Sequence, residues 1–272
     1  MQNQKKKKNA MKPVYKPYLR GNVVSRTAAK RAGKLLGYLL MVVFIYLMLG
    51  GALTFENTFL RVLANLGLLS IGGMVFYSEG ANQGETDVGF AEIAQKRLDE
   101  GKNVPASEHD LCYNRLKGVF TAAMAALPFF LVALVFAVIA KKQSFALGVL
   151  PSWVTAYESQ AEVAQSLAYY HEVTPMTLES ILRVIVRLIN FPYITMMGIN
   201  SYDMMYLADK LSPLMALTMP VCYALGYQRG PLLRALVHGN IRVNRRKQSR
   251  REKRARMERR APQKKTEKKE LI

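Results

Sequence analysis

Glu108, His109, Asp110 and Cys112 form the densest group of metal-ligand side chains in the sequence. A structural zinc site needs four ligands converging tetrahedrally, and neighbours on one helix point in different directions. No second group completes a shell, so these residues read as the charged start of a helix and no metal is expected. His171 and His238 stand alone. The chain contains no Walker-type phosphate loop, nucleophile elbow, His-Glu-x-x-His helix or dinucleotide turn. Neither a cofactor nor an enzymatic activity is expected. What remains are ionisable residues inside or beside apolar stretches, where a charge is costly and marks a functional candidate. These are Arg61, Arg183, Arg187, Asp209 and Lys210. Asp209 and Lys210 are adjacent and opposite in sign, which suits either an ion or proton path or simple mutual neutralisation. Arg183 and Arg187 follow Glu179 along one helical face, and that acid can satisfy the pair. Arg61 lies one turn into its apolar stretch, and its stem can carry the guanidinium to the interface.

The elements that must hold these residues are greasy. Leu35 to Phe55, Thr58 to Tyr77, Val119 to Ala140 and Met204 to Tyr227 are apolar runs. Each can cross roughly 30 Å of hydrocarbon at about 1.5 Å per helical residue. The fold class is therefore all-α: a polytopic helical membrane protein with four transmembrane helices, amphipathic interfacial helices and basic tails. Lys and Arg number 39 against 19 Asp and Glu, for a net charge of +20 over 272 residues. The excess is concentrated in residues 1–34, which carry no acid, and in residues 228–272. A bilayer resists passage of such ends, so both termini are expected in the cytoplasm of a multi-pass cell-membrane protein. The first run is longer than a signal-peptide core and lacks a small-residue cleavage site, so it reads as an uncleaved anchor.

The chain divides accordingly into a basic segment (1–34), a tight transmembrane hairpin turning at Glu56–Asn57 (35–77), a cytoplasmic helical loop (78–117), a membrane region with outer amphipathic helices (118–227) and a basic tail (228–272). Residues 1–27, with Pro13 and Pro17, read as disordered. In the loop, Phe90, Ile93, Ala94 and Leu98 recur at helical spacing before a stop at Gly101. Ser107 and Asp110 form a capping box that opens a helix running unbroken into the third span. Ala122, Ala126, Ala133 and Ala137 share one face there, and with Gly33, Gly37, Gly67, Gly72 and Gly73 they permit close helix packing. Pro128 is expected to kink that span without breaking it. Between residues 141 and 203, one helix starts at Ser152, with Trp153 and Tyr157 opposite Glu158 and Glu162. Another starts at Thr174–Pro175 and stops before Phe191–Pro192. An even number of crossings makes this second helix interfacial or re-entrant, although Lys141 and Lys142 would then lie outside. Cys112 and Cys222 are too few for a disulfide scaffold.

The tail carries Arg245, Arg246, Lys247, Arg250, Arg251, Lys253 and Arg254. Each cation near an anionic leaflet contributes about 1 kcal/mol, so the tail is expected to contact anionic lipid of the bilayer. The same field attracts RNA or the ribosome, without base-specific reading because aromatics are sparse. A basic tail after the last span, one Arg in the membrane and a cytoplasmic helical hairpin are similar in outline to Oxa-type membrane insertases. Ala91-Glu92-Ile93-Ala94 with Gly101 resembles the coupling loop of ABC-transporter permeases, but the apolar-Pro ending is missing. The expected function is a non-enzymatic accessory or scaffold subunit with a membrane-protein partner. A small-solute or ion transporter or channel, and an insertase or ribosome-associated factor, are the alternatives.

Overall fold

The computed structural model describes residues 13–50, 55–142, 152–157, 160, 163, 177–197 and 202–269, and no strand occurs among them. The helices are α1 (Arg26–Leu49), α2 (Thr58–Asp99), α3 (Ala106–His109), α4 (Arg115–Ile139), α5 (Ser152–Tyr157), α6 (Leu178–Ile189), α7 (Phe191–Met197), α8 (Tyr202–Gln228) and α9 (Gly230–Lys269). α1, α2 and α4 are long and apolar enough to cross a bilayer, and α6 with α7, bent by 90°, would make a fourth span. Their outward faces carry large exposed apolar chains such as Met41, Phe44, Ile71 and Leu127. The chain is thus an all-α, multi-pass membrane protein.

α8 is 27 residues long but carries no stretch as apolar as those of α1, α2 and α4: Asp203, Asp209 and Lys210 lie in its first third, and Pro213, Pro220 and hydroxyl side chains interrupt the remainder. Its place explains why this is tolerated. α8 packs most extensively on α2 and α4, which shield it, so it need not be apolar all round. Pro213 removes the amide that would bond the Asp209 carbonyl, and the Ser212 hydroxyl donates to that carbonyl at 2.8 Å instead. α4 likewise continues through Pro128.

Several local expectations are corrected. α1 and α2 are consecutive but do not pack as a hairpin: α1 lies on α4 and α2 on α8. α2 is one helix of 42 residues, about 63 Å at 1.5 Å per residue, so the second span and the loop helix are continuous. It ends at Gly101, whose φ of 73° only glycine adopts without strain. Ser107 opens no long helix. α3 lasts 4 residues without a side-chain cap, and α4 starts afresh where Asn114 accepts from the Leu116 amide. Residues 13–25 form an ordered strap, with Val14 N–H donating to Ala235 O at 3.0 Å, Leu19 to Ala91 O at 3.1 Å and Gly21 to Tyr113 O at 3.0 Å. Both basic ends therefore meet at one end of the bundle, called here the basic end. α6 is capped by Thr177. Residues 1–12, Glu158, Glu162, His171 and the Thr174–Pro175 pair lie outside the described residues.

The tightest packing is reciprocal. Gly80 and Gly84 on α2 face Gly226 on α8 and Gly230 at the start of α9. A methyl group at Gly80 would overlap the Tyr223 carbonyl, one at Gly84 the Tyr227 carbonyl, and one at Gly226 the Tyr77 carbonyl. Both pairs have the small-xxx-small spacing that lets backbones touch in a membrane. Ala122, Ala126, Ala133 and Ala137 are buried as expected. Gly33, Gly37 and Gly67, in contrast, have open space where a side chain would go. Gly84→Val is therefore expected to force α2 from α8 and lower the melting temperature in detergent sharply. Gly37→Ala should leave it unchanged or raise it, because alanine suits a helix by up to about 1 kcal/mol better than glycine. Equal effects of the two variants would contradict the glycine seam.

Candidate functional site

Two fully buried aspartates, Asp87 on α2 and Asp209 on α8, organise opposite ends of the bundle. Asp87 follows from the spacing of its own helix. Gly80, Gly84, Asp87, Ala91 and Ala94 recur at alternating four and three residues and are all buried. A small-residue seam thus draws α8 in close and carries the acid inside with it.

Asp87 is engaged from three other helices. Arg31 of α1 donates two parallel bonds, both 2.7 Å, to its two oxygens. Lys117 of α4 donates at 3.0 Å and the Tyr227 hydroxyl of α8 at 2.6 Å. Lys117 spends its other donors on the carbonyls of Asp110 (2.8 Å) and Cys112 (3.3 Å), so the ammonium is saturated. The strap closes over the cluster: Asn114 Nδ2 donates to Gly21 O at 2.8 Å, and Tyr113 stacks on Tyr227 at 5.3 Å between centroids. Burial pushes the Tyr113 phenol up to about 12 and raises the Cys112 thiol. Neither supplies an anionic nucleophile near pH 7.

At the far end Asp209 receives Arg187 at 3.0 and 2.8 Å and Arg183 at 3.2 Å. Arg183 also reaches Glu179 and the Lys141 carbonyl, the latter at 3.0 Å. Glu179 alone does not satisfy the two arginines; Asp209 does most of that. Nor do Asp209 and Lys210 neutralise each other, because Lys210 donates to the Ala137 carbonyl at 2.7 Å. The signal missed here is the match between Arg183 and Arg187, one turn apart, and a single acid on a later helix.

Arg61 stands apart from both clusters. It is half-buried, and its Nε has no hydrogen-bond partner among the described residues. At the basic end, Glu92 of α2 binds Arg234 Nε at 3.1 Å and His238 Nε2 at 2.8 Å, which clamps the start of α9. Beyond that clamp Arg245, Arg246, Lys247, Arg250, Arg251, Lys253 and Arg254 are all exposed. The Glu108–Cys112 group disperses: Glu108 pairs with Arg97, Asp110 accepts from Asn22 and Cys112 is buried. No metal-competent group of three ligands occurs among the described residues.

Comparison with protein-family models, curated proteins and solved structures finds no match to this chain. Both oxygens of Asp87 and both of Asp209 accept from cations held on other helices, and both acids are fully buried, so neither is open to a substrate. The two clusters act as cross-links between helices. Removing one member of such a buried pair leaves an uncompensated charge, at a cost of about 3–5 kcal/mol. Asp87→Ala should therefore lower the unfolding free energy in detergent by that order. Combining it with Lys117→Met should recover part of the loss. Strictly additive effects would show that the two residues are not coupled.

Proposed function

We propose that the protein is a non-enzymatic membrane scaffold whose bundle anchors a cationic helix against an anionic surface, the tail meeting acidic lipid of the inner leaflet. The observation that carries this reading is the contrast between the two kinds of charge. The buried cations of the bundle are paired or bonded to carbonyls, whereas the cations from Arg242 to Arg256 of α9 are exposed to an external partner. Excess positive charge at the end of the bundle where strap and tail meet favours a cytoplasmic location for both termini. Exposed Phe90 and Ile93, on the part of α2 beyond its apolar run, favour a protein partner at that same end.

A second reading rests on α9 itself. At about 1.5 Å per residue its 40 residues extend about 60 Å, far beyond the roughly 8 Å Debye length at physiological salt. A helix that long reaches RNA or a ribosome as readily as lipid, in keeping with an insertase or ribosome-associated factor. Transport is the least favoured role, because Asp209 and Lys210 are consumed by contacts inside the bundle.

Trypsin digestion of the full-length protein in nanodiscs separates these readings. Tail cleavage should slow on anionic nanodiscs relative to zwitterionic ones, and the protection should vanish at about 0.5 M salt, where screening is stronger. If both lipid compositions give the same cleavage rate while added RNA protects the tail, the lipid-facing role is wrong.

A further inference from the structure

Because α1 packs on α4 and α2 on α8, the two consecutive helices leave a groove of about 670 Å³ between them. Its walls are apolar, with Met41 and Ile45 from α1 and Ile71 and Val75 from α2, and these side chains stay exposed rather than interlocking. Its basic-end mouth is polar, lined by Tyr38, Ser78, Glu79 and Asn82. We propose that this groove binds one anionic phospholipid, with an acyl chain along the apolar walls and the phosphate at Lys30 and Lys34.

Size and charge both select this occupant. A 20 Å length of helix about 10 Å across displaces roughly 1,600 Å³, more than twice the groove, so a partner helix would rest on the rim. A hydrocarbon chain is narrow enough to lie inside. The groove also falls within the range of roughly 300–1,000 Å³ usual for small-molecule sites. At the mouth, Lys30, Lys34 and Tyr38 follow one another at four-residue spacing on a single face of α1. Lys34 bridges to Glu79 at 3.3 Å and lies 5.2 Å above the Tyr38 ring, yet its side chain is 55% exposed. One of its three donors binds Glu79, which leaves the exposed ammonium with donors for a phosphate. Lys30 is exposed too and adds a second, unopposed charge. Cationic pockets between spans on the cytoplasmic side are the usual sites of acidic headgroups. This groove is separate from α9, so its emptiness would leave the tail's role standing, and the converse also holds.

The full-length protein, purified from mixed phosphatidylglycerol and phosphatidylcholine and washed at high salt to strip α9, tests the site by native mass spectrometry. One phosphatidylglycerol per chain should survive in preference to phosphatidylcholine. Replacing both cations (Lys30→Gln with Lys34→Gln) should weaken its retention about tenfold or more. Met41→Trp with Ile71→Trp fills the groove from two exposed positions and should abolish retention at an unchanged melting temperature. A photo-crosslinker at position 45 should form a lipid adduct. Equal retention of both lipids, retention untouched by the paired tryptophans, or a protein adduct at position 45 would each overturn the proposal.

Discussion

A carboxylate with no access to water must be neutralised where it stands, and Asp87 is neutralised by donors from three separate helices. The cluster can form only when α1, α4 and α8 are all in place around α2. Its strength comes from the low-dielectric surroundings that would make any missing partner expensive. Helix association inside a bilayer lacks the apolar driving force available in water. Ion pairs and close backbone packing take over that role here, one at each end of the bundle and one along the α2–α8 seam. The arrangement of the other helices follows from these contacts.

The two devices depend on each other. Glycines at 80, 84, 226 and 230 bring α2 and α8 near enough for the Tyr227 hydroxyl to reach Asp87. In return, the ionic cluster fixes the level at which the helices cross. At the far end, Arg183 and Arg187 hold α6 to Asp209 and so anchor the bent α6–α7 pair. Thr195 of α7 then donates to the buried Asn65 of α2 at 2.8 Å. The irregular bend at Asn190 lies inside this shell of polar contacts, as non-helical backbone at membrane depth requires.

Much of the architecture was legible in the chain because hydrocarbon thickness imposes a length on every apolar run. The apolar runs, the alanine face of α4 and the stop at Gly101 all follow from local pattern. The site was harder to see. Phe90, Ile93, Ala94 and Leu98 recur at helical spacing, yet of the four only Ala94 is buried, and it faces inward with the small residues Gly84 and Ala91. In water the bulky apolar face marks the core; where helices touch backbone to backbone, the smallest side chains do. An acid spaced in register with glycines and alanines was the available clue to Asp87. The partners of Asp209 could not be read locally, since Glu179 is near in sequence while the true acid lies on another helix.

The strap over residues 13–25 closes a long circuit, with Val14 bonded to Ala235 and Leu19 to Ala91. During synthesis, residue 14 emerges long before its partner exists. The basic end must therefore stay unlatched while the spans insert one after another, and it can be sealed only after α9 has cleared the ribosome. Assembly of this protein thus finishes at the same end where it begins.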